Sequence, residues 1–447
     1  MQTASENRGM IGLFLAYKLT MDFLYIYCIW GMHHEAGWWA GPYNMHFSLG
    51  AYGSGWLVFA ILLALCQPTL RRPLGEWRFS DCILFLLLLM SVIPGLAMCG
   101  AGAFPAEYMG LFYFYWGLFF FLARTFLGMK FNIPFVGGGL SPSAKEKVLS
   151  LVGAIVVASV IFAFFSFQGG RFFFAGLLSE ELYVSRAHFG TASLPVWLVY
   201  ILANALVVLL FLLLFCLGKR QYSLVALVLI VGYMKFSCGA HKIDLFALLI
   251  GLVVYAGRKY ITAKWMIVLS IVVSVAGVAL AIKWNIFYVM SFWVRELFDT
   301  NLLGYCYYDF FQSHPSFLDS IMEGNMIDRR AVPSMIGEQY MGSSANNANN
   351  GLLGDAFLML GRGGVLLSPV CWLTYLFILD KCGGGCAWWI KLGTSVYWVM
   401  IMQNGAFITS LLSYGGLMML VLSCLCGTKK ERNGDRCSNV DNIEVLR

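Results

Sequence analysis

The residues best suited to chemistry are charged side chains beside long apolar stretches. Asp355 and Arg362 lie within the stretch A-N-N-A-N-N-G-L-L-G-D-A-F-L-M-L-G-R-G-G, and Glu338 precedes it. A carboxylate here could act as the base for an attacking hydroxyl, and a cation could stabilise a leaving phosphate. Asp355 and Glu338 are therefore the candidate catalytic residues. The alternative is a simple loop with Asn/Gly turns and a snorkelling arginine.

Several other basic side chains could form one anion-binding surface. A cation at a helix N-terminus opposes the helix dipole, so Lys242 needs an anion, either a substrate or its neighbour Asp244. Adjacent arginines are tolerated best where a phosphate or an acid is shared, although solvated surface charge is the simpler explanation. Such a surface would suit a diphosphate at the headgroup level of a lipid. The candidate binding residues are Arg171, Arg186, His188, His241, Lys242, Arg329, Arg330 and Arg362.

One charged pair falls within the first apolar run. Lys18 and Asp22 are four residues apart, which places them on one face of a helix. An intramembrane pair of this kind either neutralises itself and steadies packing or serves a function. Both interpretations remain open from the sequence.

The composition identifies the elements that must position these residues. The chain is 60% hydrophobic and only 12% charged, with a mean hydropathy of +0.75. These values lie outside the range of ordinary soluble domains and indicate a polytopic membrane protein. The net charge of +7 does not indicate nucleic-acid binding, because the basic residues are dispersed at the ends of apolar runs. Most cysteines lie inside apolar runs, and no metal or cofactor site is predicted.

Apolar runs near spanning length predict an all-α bundle of about twelve transmembrane helices. They form a single domain over residues 1–427, and the charged tail 428–447 is expected to be disordered and cytoplasmic. The predicted spans are 10–30, 50–66, 82–98, 109–127, 148–166, 196–217, 222–237, 243–257, 265–283, 364–380, 388–407 and 409–426.

The distribution of basic residues predicts the orientation. With the N-terminus inside, inside segments carry twenty lysines and arginines and outside segments only six, which places both termini in the cytoplasm. The two larger outside segments, 167–195 and 285–350, are expected to contain short interfacial helices. From Gly351 to Asp380 one continuous helix would be about 45 Å long, which exceeds the apolar thickness of a bilayer. A break at the glycines 361, 363 and 364 is predicted, with a short helix over Leu352–Leu360 before the span.

The chain resembles the bacterial O-antigen and capsule repeat-unit polymerases of the Wzy type. The resemblance lies in the predicted layout, in the G-A-H-K-I-D-L junction at residues 239–245, and in N-N-G-L-L-G-D-A-F-x-x-x-G-x-x-G at residues 349–364. One spacing differs, because no arginine of the outside segments named above precedes a glycine by eleven residues, as in some members. The resemblance implies an inverting, metal-independent glycosyltransferase of lipopolysaccharide biosynthesis in the inner membrane. It would transfer a growing glycan from undecaprenyl diphosphate to the non-reducing end of a lipid-linked repeat unit, at the periplasmic face.

By the same resemblance, Lys242, Arg171, Arg329 and Arg330 would hold the diphosphate, and Asp355 or Glu338 would serve the acceptor. The partners are an undecaprenyl-diphosphate-linked oligosaccharide and membrane lipids, and the enzyme acts either alone or with a chain-length regulator. Two alternatives remain: a flippase or exporter of lipid-linked oligosaccharide, and an O-antigen ligase. The absence of a fixed internal repeat and the single asymmetric outside segment favour an enzyme over a transporter.

Overall fold

The computed structural model shows an all-helical chain. It describes residues 2–30, 44–129, 141–172, 194–239, 241–284, 295–313, 332–342 and 348–427, and no strand occurs among them. The helices are α1 Gln2–Phe23, α2 Leu49–Leu70, α3 Phe79–Gly100, α4 Ala106–Phe126, α5 Pro142–Phe167, α6 Val196–Gly218, α7 Tyr222–Gly239, α8 Lys242–Ala256, α9 Ala263–Trp284, α10 Thr300–Ser313, α11 Val332–Met341, α12 Leu352–Leu360, α13 Gly364–Cys382, α14 Trp388–Asn404, α15 Phe407–Leu412 and α16 Gly416–Cys426.

Local sequence explains where several of these helices begin and end. Ser48 and Ser141 are N-caps whose side chains accept hydrogen bonds from Ala51 N and Ala144 N, at 3.1 and 3.2 Å. Pro142 occupies the first turn of α5, where its missing N–H costs nothing. π-Helical turns continue α1 over Leu24–Trp30 and precede α10 over Arg295–Asp299.

The apolar helices have the lengths that a membrane requires. Nine helical segments of the described chain are long and apolar enough to cross a bilayer, with α12 and α13 counted together. Three further predicted spans coincide with shorter helices, α8 of 15 residues, α14 of 17 residues and α16 of 11 residues. The prediction of a helical membrane protein is confirmed, while the number of twelve spans remains a prediction.

Helix α3 is the centre of the bundle. In its apolar window 94% of the residues are buried, whereas the figure is 22% for α2 and for α9. It packs against α1, α2, α13 and α14, and its middle turns carry a π-helical insertion over Leu88–Val92. A helix that is apolar on every side is expected in such a central place. The outer helices instead expose large apolar side chains such as Leu57 and Leu269.

The break predicted at the glycines before α13 is confirmed. Helix α12 ends at Leu360, a 3-10 turn covers Gly361–Gly363, and α13 begins at Gly364. Gly361 has φ 55° and ψ −134°, a conformation that side chains other than glycine rarely adopt. The turn also brings Gly364 against the backbone of α12, where a Cβ would lie 2.0 Å from the carbonyl oxygen of Ala356.

Replacing Gly364 by alanine is therefore expected to lower the free energy of unfolding by about 1–3 kcal/mol, because backbone atoms would have to separate to accept the methyl group. Gly363→Ala is the matched control. Gly363 has φ −64° and ψ −30°, and its Cβ would meet no atom within 4 Å. Alanine there should be neutral or stabilising by roughly 0.4–1 kcal/mol. Thermal unfolding of both variants in detergent tests this, and equal stabilities would contradict the close approach.

Helix α10 lies in the segment that was expected to contain interfacial helices; eight of its residues are buried and it packs against α12, and its position relative to the membrane interface remains a prediction. One expectation about this half of the chain needs correction. The predicted span 409–426 is not one helix, because α15 ends at Leu412 and α16 begins at Gly416. Gly415, with φ +88°, turns the chain between them.

A network of ion pairs and hydrogen bonds joins the start of α3 and the residues just before it to α13 and α14. The Asp81 side chain is 1% exposed and accepts from the Arg78 Nε at 3.2 Å and the Arg72 Nη1 at 3.4 Å. Asp380 near the end of α13 accepts from the Ser80 backbone N at 2.9 Å and lies 3.7 Å from Arg78 Nη1. In α14, Lys391 Nζ donates to the carbonyl oxygen of Trp77 at 3.1 Å. We call this end of the bundle the basic end.

Candidate functional site

The candidate catalytic residue Asp355 lies at the end of the bundle opposite the basic end. Helix α13 runs between the two, from Gly364 to Asp380 and Cys382, and its 19 residues span about 28 Å. Helix α14 runs the other way, from Lys391 at the basic end to Asn404. The junction between α7 and α8 is also at the far end, because Tyr255, near the other end of α8, packs on Trp389 at the basic end. We call this end the polar end.

Asp355 is a buried carboxylate that accepts hydrogen bonds from Asn350 and Phe407. It is 6% exposed and occupies the first turn of α12, where the helix dipole favours negative charge. Its Oδ1 accepts from Asn350 Nδ2 at 3.1 Å, and its Oδ2 accepts from the backbone N of Phe407 at 2.8 Å. The second bond ties α12 to the start of α15. An ionised carboxylate only accepts hydrogen bonds and has several acceptor sites, which is the chemistry that binding a hydroxyl requires.

Arg362 belongs to a neighbouring polar group with Tyr308 and Glu107. Tyr308 is 3% exposed, and its hydroxyl donates to Glu107 Oε2 at 3.3 Å. Burial raises the pKa of Tyr308, Glu107 raises it further, and the adjacent Arg362 guanidinium lowers it. The tyrosine therefore remains a protonated donor near neutral pH. The Arg362 side chain is exposed, so its guanidinium can reach an anion that approaches the polar end.

Glu338 and Arg171 are also exposed. Glu338 lies on α11, which Tyr340 ties to α10 through a 2.6 Å hydrogen bond from its hydroxyl to Asp309. Arg171 follows α5, beside Phe172, whose ring stacks on Tyr233 of α7 at 5.8 Å between centroids. The candidates Arg186, His188, Arg329 and Arg330 lie outside the described residues.

The junction between α7 and α8 carries His241 and Lys242. His241 is the N-cap residue and Lys242 the first residue of α8. The Asp244 carboxylate, which the sequence offered as a partner for Lys242, is paired with Lys235 of α7, whose Nζ lies 2.6 Å from its Oδ1. Asp244 is 1% exposed, so its ion pair with Lys235 links α7 to α8 inside the bundle. Helix α14 packs against both α8 and α12 and so connects this junction to Asp355.

A small cavity beside Asp355 is lined by polar atoms that the sequence did not single out. Its volume is about 20 Å³, and Thr300, Gly354 and Gln403 are among its lining residues. The Tyr108 hydroxyl, the Thr300 hydroxyl, the Trp116 N–H and both amide atoms of Gln403 are buried there, without a hydrogen-bond partner in the described parts of the chain. This lining offers both donors and acceptors, and the volume accommodates one hydroxyl or water molecule.

Glu296 is a second acid of the polar end that sequence analysis missed. It lies in the π-helical turn before α10, and its Oε2 is buried without a hydrogen-bond partner among the described residues. Burial raises the pKa of Glu296 above its ordinary value of 4.5; the nearby Asp299 raises it further, and Arg295 lowers it. The signal in the sequence was the W-V-R-E stretch, but nothing there separates a buried acid from a solvated one.

The raised pKa predicts how stability depends on pH. The folded state holds the Glu296 proton more tightly than the unfolded chain, so this residue's contribution is greatest below the ordinary pKa and is lost as pH rises through the folded pKa. Glu296→Gln should therefore raise the free energy of unfolding at neutral pH by on the order of 1 kcal/mol and flatten the pH profile. Unfolding at about pH 5 and about pH 8 measures this. The exposed Glu76→Gln is the control, and an unchanged slope in Glu296→Gln would contradict the assignment.

The Lys18 and Asp22 pair of the first helix lies away from this site. Their side chains form a buried ion pair, and the Tyr52 hydroxyl donates to Asp22 at 3.3 Å. The Lys18 ammonium also lies 5.1 Å from the centre of the Trp56 ring, a favourable cation–π distance. The pair is thus neutralised and enclosed, in agreement with the packing interpretation.

These features define the protein as an all-helical, multi-pass membrane protein with a buried carboxylate in a polar cluster at one end of the bundle. Compared with known proteins, the chain matches no family model, no curated protein and no solved structure.

Proposed function

We propose that the protein is a glycosyltransferase that polymerises lipid-linked oligosaccharide repeat units, an O-antigen or capsule polymerase of the bacterial inner membrane. The observation that carries the proposal is the placement of Asp355: a buried carboxylate at the polar end, held in the first turn of a short broken helix. The motif around it is the one on which the resemblance to the Wzy-type polymerases rests. In the proposed orientation the polar end faces the periplasm, and the basic end faces the cytoplasm.

The surroundings of Asp355 suit a carbohydrate acceptor. The Tyr108 ring lies 5.3 Å from the Tyr305 ring and 5.2 Å from the Tyr308 ring, centroid to centroid. Tyr108 and Tyr308 are buried, and Tyr305 is half-buried. A half-buried ring such as that of Tyr305 can pack on the C–H face of a sugar, while tyrosine hydroxyls, amides and carboxylates hydrogen-bond to its hydroxyls. The donors and acceptors around the cavity at Gln403 extend this surface inward.

In the proposed reaction Asp355 accepts the proton of the acceptor hydroxyl as that hydroxyl attacks the anomeric carbon. The bond from this carbon to the diphosphate oxygen breaks, and undecaprenyl diphosphate leaves with inverted configuration at the sugar. Lys242, Arg171 and Arg362 stabilise the negative charge on the leaving diphosphate. Arg186, Arg329 and Arg330 are proposed for the same purpose. The broken helix fixes the carboxylate on rigid backbone, which general-base catalysis requires.

Deleting the protein in its native host and displaying surface lipopolysaccharide on a gel tests the proposal. A product of core plus one repeat unit is expected, since export and ligation would continue without polymerisation. An unchanged ladder would show that the O-antigen is not its product, and the same assay would then be applied to the capsule. If the deletion leaves the polymer of both glycans intact, the proposal is overturned.

A flippase or exporter and an O-antigen ligase are the two alternatives that the same gel distinguishes from a polymerase. An exporter deletion would leave core alone on the same gel, as would deletion of an O-antigen ligase. Transfer of glycan from undecaprenyl diphosphate to purified lipid A core would separate these two, because only a ligase consumes that acceptor.

A further inference from the structure

A second cavity, far from Asp355, lies at the basic end. It lies between the end of α2, the start of α3 and the end of α4, and its volume is about 70 Å³. Three arginines, Arg72, Arg78 and Arg124, line it, together with Thr69 and Asp81. Nothing in the proposed polymerase reaction uses this cavity.

The charge around the cavity favours an anion. Asp81, the one acid among the lining residues, is 1% exposed and is already bonded by Arg72 and Arg78. The guanidinium-bearing side chains of these two arginines remain 43% and 32% exposed, and Arg124 is exposed as well. Arg78 is shared between Asp81 and Asp380, so three guanidinium groups face two carboxylates and one positive charge remains at the cavity. Arginine's planar fork matches phosphate oxygens in both geometry and charge.

The deeper walls are apolar. Leu65, Leu88 and Phe120 line the cavity, and they lie roughly 7 to 14 Å along their helices from the charged ends of α2, α3 and α4. A free inorganic anion would contact the arginines but would leave these apolar walls without a partner. A ligand with a phosphate at one end and a hydrocarbon chain at the other would match both parts.

We propose that this cavity binds an anionic phospholipid, with its phosphodiester on Arg72, Arg78 and Arg124 and the first carbons of an acyl chain on Leu65, Leu88 and Phe120. Basic pockets between helices on the cytoplasmic side of membrane proteins hold lipid headgroups in this way. A zwitterionic lipid is disfavoured because its ammonium group would meet the guanidinium groups. The lipid would fill the space between α2 and α4 beside the network of Asp81.

Native mass spectrometry of the full chain in detergent, with added dioleoyl phosphatidylglycerol, tests the site. The double variant Arg72→Gln with Arg124→Gln should weaken the first lipid-binding step by at least about tenfold, since two charge-assisted contacts are lost. Arg71→Gln is the matched control: Arg71 is exposed, adjacent to Arg72, and does not line the cavity. Its affinity should stay within about twofold of the unmodified chain.

A single Arg124→Gln variant guards against misfolding, because it leaves the bonds to Asp81 in place; it should still bind the lipid more weakly. Equal binding by the double variant, or an equal loss in Arg71→Gln, would overturn the proposal. So would equal affinity for dioleoyl phosphatidylethanolamine. Displacement by inorganic phosphate would assign the cavity to a free anion, and preferential binding of farnesyl phosphate would assign it to an isoprenoid lipid.

Discussion

Asp355→Asn is expected to abolish glycan polymerisation while leaving the protein folded. Asparagine keeps the size and one acceptor oxygen for the Phe407 N–H, and the Asn350 amide can turn to accept from the new amide group. What is lost is the basic carboxylate. The expected fall in the rate of transfer is about 10²- to 10⁴-fold, the usual contribution of a general base. Complementation of the deletion strain, with lipopolysaccharide displayed on a gel, measures the effect.

The comparison variants separate chemistry from structure. Asp309→Asn alters another acid of the polar end, one that accepts a hydrogen bond from Tyr340, and should retain polymer. Asp355→Ala removes both acceptor atoms and should in addition lower stability by about 1–3 kcal/mol, since the Phe407 N–H loses its partner. Polymer at normal levels in Asp355→Asn would make the residue a structural tie only. Loss in Glu338→Gln instead would transfer the role of base to Glu338.

Arg78→Ala should be the most destabilising single change at the basic end. The substitution removes the guanidinium that lies between Asp81 and Asp380, whose side chains are 1% and 6% exposed. It also removes a hydrogen bond from Arg78 to the carbonyl oxygen of Leu127, 2.6 Å long, at the end of α4. Taking one partner from a buried ionic group costs roughly 3–5 kcal/mol, because the remaining charges lie in apolar surroundings.

Thermal unfolding in detergent, followed by the fluorescence of the 14 tryptophans, measures this loss. Arg71→Ala changes an exposed arginine nearby and should stay within about 0.5 kcal/mol of the unmodified protein. Arg78→Lys should recover part of the loss, because it restores the charge but not the planar fork. A loss below about 1 kcal/mol in Arg78→Ala would contradict the network.

The sequence predicted the features that depend on chain geometry alone. The stretch from Gly351 to Asp380 was too long for one span, and three glycines marked where it breaks, so the short helix α12 could be placed correctly. Lys18 and Asp22 are one helical turn apart, and their pairing followed from that spacing. Apolar runs predicted the helical membrane class in the same way.

Features that depend on contacts between distant segments could not be predicted. In the sequence, Arg78 and Lys391 are two of the basic residues that indicate topology and Asp380 ends an apolar run, whereas the fold brings them to the same end of the bundle. Lys235 pairs with Asp244 across two helices, so spacing gave no indication of it. Gln403 and Thr300 are uncharged, and only their burial around one cavity distinguishes them from other polar residues.

The parts of the basic-end network are synthesised at different times. Ser80 and its partner Asp380 are 300 residues apart in sequence, and a ribosome adds about 5–20 residues per second. The start of α3 is therefore inserted about 15–60 s before α13 can reach it. During this interval Asp81 already has its local partners, Arg72 and Arg78. The chain can thus shield Asp81 from the lipid while the last helices are still being made.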